Sequence, residues 1–254
     1  MASRELKAAI EAAAAAGALI RSLYRTHLPV RLKEDASPVT EADVRAEELI
    51  RASLAQHFPG YGFYGEESGA HALEAQNLWL VDPIDGTQSF VREMPYFSTQ
   101  IALLRAGELV LGVSSAPLYD EIAWAEVGGG AFLNERLVHV SAVAELKDAF
   151  VSTGNLRSLT QPQRWQRLGE LARTVRRMRG YGDFVHYHLL ARGALDVVIE
   201  SDVNILDIAA LTVIVREAGG TFTDLDGAPV GLKTTSVLAS NGVLHEPVLE
   251  ALRP

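Results

Sequence analysis

Apolar and polar positions follow two different periods along the chain. Over residues 2–26 and 41–57, Ala, Leu and Ile recur among Arg, Lys and Glu, all good helix formers, and both segments are predicted as helices. Thr40-Glu41-Ala42-Asp43 opens the second helix, with Thr40 as N-cap and Asp43 at N3, a close relative of the capping box. Pro59-Gly60 ends it. Between the two helices, Arg31–Thr40 contains Pro38 and is predicted as an exposed loop. Tyr61–Tyr64 reads as a short strand, and Leu78–Val81 as an apolar strand stopped by Asp82-Pro83. Ser98–Arg105 and Glu108–Ser115 read as strands joined at Ala106-Gly107, followed by Glu121–Val127 and Gly130–Leu133 around Gly128-Gly129-Gly130. Helices are predicted over 162–175, Asp183–Arg192 and Asp207–Ala218, the last stopped by Gly219-Gly220. Thr221–Thr223 and Ser236–Ala239 read as strands, and Pro247–Arg253 as a final helix.

The change from β-rich to alternating α and β near residues 141–150 is the candidate boundary, giving an N-terminal half, 1–145, and a C-terminal half, 146–254. No Gly/Ser-rich linker separates them, so they are expected to pack as one unit of class α/β, with helices covering sheets. The charge balance narrows the function. With 32 Asp and Glu against 23 Lys and Arg, the net charge is −9, which argues against a general nucleic-acid or anionic-membrane binder. The absence of Cys excludes disulfides, thiolate metal sites and Cys nucleophiles. Arg4, Lys7 and Glu11 interrupt the Ala-rich start, which reads as an amphipathic helix rather than a signal peptide or membrane span; a cytoplasmic location is the expectation.

The most informative stretch is Asp82-Pro83-Ile84-Asp85-Gly86-Thr87. Two carboxylates in a tight loop can converge on one point, with the Ile84 carbonyl between them. Gly86 permits close backbone approach, and a helix starting near Thr87 would offer free N–H groups to an anion. Two like charges ~4 Å apart repel by ~4 kcal/mol at an effective dielectric of ~20. A cation removes that cost, and oxygen-only ligands select hard ions such as Mg²⁺. The same residues also suit a solvated turn capped by Asp82. Gly65-Glu66-Glu67-Ser68-Gly69 is a second acidic cluster, which reads either as a solvated loop or as a ligand donor at a strand end. Asp207-Ile208-Ala209-Ala210 is a third; there Asp207 reads as an N-cap, and the small Ala209 and Ala210 would let the helix start approach another element.

These motifs, with Val39-Thr40-Glu41-Ala42-Asp43 and Glu217-Ala218-Gly219-Gly220, stand in the order and approximate spacing of the inositol monophosphatase family, which the chain resembles over nearly its whole length. The resemblance implies a layered αβαβα sandwich and Mg²⁺-dependent phosphomonoester hydrolysis, with two or three ions per site and a homodimeric assembly. It implies that Glu66, Asp82 and the Ile84 carbonyl hold one ion, and that Asp82, Asp85 and Asp207 hold a second. Asp43 and Thr87 would orient the attacking water, with Glu66 beside them in the catalytic set. The Gly86 and Thr87 N–H groups would hold the phosphate, and Glu67 would lie outside the ligand set. Leu206 and Ser89 stand where the family usually has Trp and Asn; neither replaces an implied ligand. No Gly-x-Ser-x-Gly elbow or P-loop is present, consistent with direct attack by water and no phosphoenzyme.

Arg179-Gly180-Tyr181-Gly182-Asp183-Phe184 resembles the histidinol-phosphate phosphatase branch of that family. Asp183, Glu200 and Arg179 are the expected substrate-facing residues. The negative charge of Asp183 and Glu200 suits a leaving group with an amino group, as in histidinol phosphate. The alternative is that Asp183 caps its helix and pairs with Arg179. An inositol-phosphate or broad sugar-phosphate phosphatase is the close second reading, and a non-catalytic protein or RNA partner role is a reading of another class. Helical spacing turns His186 and His188 to different sides, so they are not expected to share an ion. Arg173, Arg176, Arg177 and Arg179 are expected to face a helix end and solvent, and Trp79, Trp124 and Trp165 to pack.

Overall fold

A computed structural model describes residues 2–33 and 37–253. In chain order the elements begin with α1 (Arg4–Leu23), β1 (Arg31–Leu32), β2 (Pro38–Val39), α2 (Glu41–His57), β3 (Gly62–Gly65), β4 (Gly69–His71) and β5 (Asn77–Asp85). They continue with α3 (Thr87–Val91), β6 (Ser98–Arg105), β7 (Glu108–Ala116), β8 (Glu121–Glu126), β9 (Ala131–Leu133) and β10 (Arg136–Val138). Next come β11 (Phe150–Thr153), α4 (Pro162–Thr174), β12 (Arg177–Gly180), α5 (Asp183–Ala191) and β13 (Val197–Ser201). The chain closes with α6 (Ile205–Glu217), β14 (Thr221–Thr223), β15 (Ser236–Ser240) and α7 (His245–Leu252).

The strands form an eight-stranded sheet, ordered β10-β9-β8-β7-β6-β5-β3-β4, and a five-stranded sheet, ordered β12-β11-β13-β15-β14. Period-2 alternation divides each sheet between two cores. Trp79, Val81, Ile101 and Leu103 face α1 and α2, while Leu78, Leu80 and Ala102 face α5 and α6. On the second sheet, Val198, Val237 and Ala239 meet the same inner helices. Val197, Ile199 and Leu238 face α4 and α7. The result is the expected αβαβα sandwich, a mixed α/β layered fold with no closed barrel. No helix among the described residues is long and apolar enough to cross a membrane.

Four local expectations change. The strand predicted over Leu78–Val81 continues to Asp85, because the chain stays extended through Pro83 and breaks its pairing register between Asp82 and Asp85. Helix α6 starts at Ile205 rather than Asp207. Asn204 is its N-cap, and Asp207 at N3 returns a bond to the Asn204 N–H, so Asp207 belongs to a capping box rather than being the cap itself. The exposed loop expected over Arg31–Thr40 contains the paired strands β1 and β2, and its residues 34–36 lie outside the described residues. Trp165, expected to pack, is 49% exposed on the first turn of α4, ahead of the buried Leu168 and Leu171. The short strands β4, β10 and β12 escape the hydrophobic pattern, because they are exposed and carry little apolar alternation. Strands β11 and β13 are buried on both faces, so period-2 alternation does not mark them.

Candidate active site

A cleft of about 480 Å³ is lined by Glu66, Asp82, Asp85, Thr87, Asp183 and Asp207, with Asp43 buried behind Thr87. Helix α2 brings Asp43. Thr40 caps α2, and both its N–H and its hydroxyl donate to Asp43 Oδ2, at 2.8 and 2.6 Å. That box leaves Asp43 Oδ1 to meet Thr87 Oγ1 at 3.0 Å. Thr87 Oγ1 also lies 2.9 Å from the Ile84 carbonyl; its single proton serves one acceptor at a time. Burial pushes the Asp43 carboxyl up, opposed by the bonds from Thr40 and Thr87.

Residues three apart on a regular strand point to opposite faces. The extra residue that β5 carries against β6 cancels that mismatch, with Asp82 opposite Gln100 and Asp85 opposite Ser98. The bulge therefore turns Asp82 and Asp85 to the same side. Asp82 Oδ1 accepts the Ile84 N–H at 2.9 Å, so the Asx turn allowed by the sequence is present alongside the carboxylate pair. Asp85 Oδ2 is approached by Ser98 Oγ at 3.3 Å. Gly86 follows with φ +90°, and a Cβ there would lie 2.5 Å from the Tyr96 carbonyl oxygen, so only glycine fits at the start of α3.

The third carboxylate arrives on α6. Gly112 of β7 lets the helix in, since a Cβ there would stand 2.3 Å from the Ala210 carbonyl oxygen. One oxygen from each of Asp82, Asp85 and Asp207 falls within 4.8 Å of the others. Burial raises Asp82 and Asp85 well above the usual carboxylate range, and neighbouring carboxylates push both further. Asp207 is pushed up to about 7 by burial and by Glu66 and Glu200, against the bonds from Asn204. Three oxygen donors that resist carrying their charges together fit a hard divalent cation, which would favour the ionised form of all three.

Glu66 follows β3 at the rim of the cleft. Lys33 Nζ lies 2.8 Å from Glu66 Oε1 and 2.7 Å from Glu67 Oε1. Burial opposes the Lys33 charge, but these two carboxylates outweigh it and raise its pKa. Glu67 is pushed to about 7, by burial first and then by Glu66, against the pull of Lys33. No sequence signal pointed to Lys33, which approaches through the fold of the hairpin.

The expected substrate-facing residues separate. Asp183 lines the cleft at the start of α5, with φ +46° after Gly182 at φ +73°. Asp183 is the first residue of α5, after Gly182 at the N-cap position, so it is not the cap, and among the described residues it forms no ion pair with Arg179. Burial and Glu200 raise it to about 6, while His186 pulls it down. Glu200 is buried beneath the cleft. It meets His186 Nε2 at 3.2 Å, accepts Tyr187 Oη at 2.8 Å and accepts the Asn155 N–H at 3.2 Å. Burial of Glu200 is outweighed by His186, Tyr187 and Asn155, which hold its pKa down. Asp85, Asp183, Glu200 and Asp207 surround a cavity of about 30 Å³, room for about one water. Arg179 lies exposed on β12 and is not among the residues lining the cleft. His186 and His188 do face different sides: His186 meets Ser152 and Glu200, and His188 meets Ser114 and Glu121.

Sequence reasoning missed Lys33, Asn204, Tyr187 and Glu47. For Asn204 a signal was available in the Asn-x-x-Asp spacing of a capping box; for Glu47 it was the one-turn spacing from Asp43.

Comparison with known proteins agrees with this geometry. A model of the inositol monophosphatase family matches residues 1–254. The histidinol-phosphatase of Mycobacterium tuberculosis is 43% identical over 230 residues, covering 89% of this chain and 88% of that protein. The inositol-1-monophosphatase of Mesorhizobium japonicum is 36% identical over 258 residues, covering 98% and 96%. The crystal structure of the extragenic suppressor protein suhB from Bartonella henselae is similar at a TM-score of 0.91 and 33% identity, covering 99% of both chains. Fold, cleft and likeness extend over one and the same chain, which therefore belongs to the inositol monophosphatase family and is a hydrolase of phosphomonoesters.

Proposed function

We propose that the enzyme hydrolyses L-histidinol phosphate to L-histidinol and phosphate, by direct attack of water and with Mg²⁺ as its metal. The carrying observation is Asp183: a carboxylate in the cleft wall, with no ion-pair partner among the described residues, placed to meet a cationic leaving group. Glu200, engaged by His186 and Tyr187, reinforces the negative field from below. The family is metal-dependent, and the oxygen donor set fits Mg²⁺.

In this reading Glu66, Asp82, Asp85, Asp207 and the Ile84 carbonyl hold the metal. When bound, Mg²⁺ lowers the pKa of a coordinated water, neutralises phosphate oxygens and stabilises the leaving alkoxide. Thr87 Oγ1 accepts a hydrogen bond from the attacking water while its own proton is directed to Asp43 Oδ1. The raised pKa of Asp43 makes that oxygen a better proton acceptor. Phosphate oxygens are held by the N–H groups of Gly86 and Thr87, where the first turn of α3 leaves donors without intrahelical partners. A homodimer completes the reading and rests on the family resemblance alone.

Hydrolysis of inositol 1-phosphate is the second reading, favoured by relatives of that name that cover as much of the chain. A panel of L-histidinol phosphate, inositol 1-phosphate, fructose 1,6-bisphosphate and adenosine 3′,5′-bisphosphate separates the two. Histidinol phosphate is expected to lead by at least ~100-fold in kcat/KM, about 2.7 kcal/mol of discrimination. Asp183→Asn is expected to lower kcat/KM for histidinol phosphate ~10- to 100-fold and for inositol 1-phosphate by less than ~3-fold. Equal losses on both substrates would count against Asp183 as the group that reads the substrate.

A further inference from the structure

One turn after Asp43, on the same face of α2, Glu47 carries a second buried carboxylate, 3% exposed. Among the described residues it meets no Lys or Arg. It meets backbone instead: Oε2 accepts the Glu67 N–H and Oε1 the Ser68 N–H, both at 2.8 Å. Each oxygen thus holds one of two consecutive amides, which offsets part of the cost of burying the charge. The chain before these amides is shaped to receive the carboxylate. A Cβ on Gly65 would stand 2.4 Å from Glu47 Oε2 and 2.5 Å from its Cδ, so the Glu47 carboxylate occupies the space that any side chain at position 65 would need.

We infer that Glu47 is a positioning residue that clamps the Glu66–Ser68 turn through two backbone N–H groups and so aims the Glu66 carboxylate into the cleft. The Glu66 N–H is tied to the Val81 carbonyl at 3.1 Å, on the strand that carries Asp82. The clamp holds the far side of the same turn to α2. With both ties made, Glu66 stands in fixed relation to Asp43 on one element and Asp82 on the other. Without the clamp, the turn keeps only one of them, and Lys33 draws both Glu66 and Glu67. The inference rests on Glu66 being a metal ligand, as proposed above.

Calorimetric titration of the full-length, metal-free enzyme with Mg²⁺ tests it, using Glu47→Gln, Gly65→Ala, the double variant and Glu66→Gln. In Glu47→Gln an amide group replaces one of the two acceptor oxygens. In Gly65→Ala a methyl group displaces the carboxylate. Each is expected to raise the metal dissociation constant ~10- to 100-fold, the range for residues that orient a ligand from behind. Metal-free melting is followed in parallel as a check on folding. Because both changes disable one device, the double variant should be no more than ~3-fold weaker than the worse single one; multiplying effects would overturn a shared device. Wild-type affinity in Glu47→Gln, with Glu66→Gln impaired, overturns the clamp alone. Wild-type affinity in Glu66→Gln overturns the ligand reading beneath it. Should the Glu47 variants not fold, amide exchange in the wild-type protein decides: the Glu67 and Ser68 N–H groups are expected to be protected without metal, and exchange as fast as in an open loop would overturn the clamp.

Discussion

Replacing Asp85 with Asn is expected to lower kcat/KM for phosphate release at least ~1,000-fold while making the metal-free protein more stable. The two effects have one cause. Asp82, Asp85 and Asp207 crowd their oxygens within 4.8 Å; burial raises all three first, Glu66, Asp85 and Asp207 then push Asp82 up, Asp183, Asp207 and Glu200 push Asp85 up, and Glu66 and Glu200 push Asp207 up. In the proposed reading that crowding is the metal site. Altering a group behind a metal ligand costs ~10- to 100-fold, and altering a ligand is expected to cost more; ~1,000-fold corresponds to about 4 kcal/mol. Without metal, the same crowding is strain between like charges. Neutralising one member is expected to relieve about 1 kcal/mol, since the group also shares protons with its neighbours, which raises the melting temperature by ~2–4 °C for a chain of this size. Phosphate release and calorimetry in EDTA check both halves. Activity within ~10-fold of wild type, or a lower metal-free melting temperature, would remove Asp85 from the site as drawn.

The metal-free protein is also expected to gain stability as pH falls from about 8.5 to about 6.5, opposite to ordinary acid denaturation. In the folded state Asp82 and Asp85 lie well above the usual range, Asp207 and Glu67 near about 7 and Asp183 near about 6. In the unfolded chain such groups titrate near ~4. A carboxyl raised on folding contributes stability that is whole below the unfolded value and lost as pH climbs through the folded one. Over this window the folded chain binds more protons than the unfolded one, so acidification stabilises. A gain of about 1–2 kcal/mol corresponds to ~2–8 °C in melting temperature. Below about 6.5 the balance shifts, because burial lowers the pKa of His188 and His245 and the unfolded chain then takes up their protons. Glu121, held down by its bond to His188, and Glu200, whose burial is outweighed by His186 and Tyr187, lose their contribution only as pH falls below the ordinary carboxylate range. With saturating Mg²⁺ the order should reverse, because metal binding needs the ionised carboxylates and stabilises the fold by mass action. A metal-free melting temperature that is flat, or that rises with pH, would show that the carboxylates are not crowded as the structure has them.

Part of this site was legible from local chemistry. Thr40 and Asp43 announce a helix start, because their side chains bond amides within the same turn. Ala106-Gly107 joins β6 and β7, and Gly219-Gly220 closes α6, since turns and helix ends depend on backbone freedom over a few residues. The choice of oxygen donors, and hence of a hard cation, follows from residue type alone. Spacing allowed Asp82 and Asp85 to converge but did not decide it. The bulge of β5 lies opposite residues of β6 that the pattern could place in a strand but not in register. Tyr187 and His186 were legible as helix residues, but not as the partners that engage Glu200.

The sequence by itself therefore determined the α/β class with helices covering sheets, the two N-terminal helices, the carboxylate loops and the kind of ion they suit, because those follow from periodicity, turn residues and ligand chemistry within short windows. Only the tertiary structure decided that Asp82 and Asp85 share a face, that Lys33 meets Glu66, that Glu47 grips the turn behind it, and that Asp183 rather than Arg179 lines the cleft. Each of these depends on charges and amides brought together from distant parts of the chain, where burial and register set which groups meet and which remain open to a substrate.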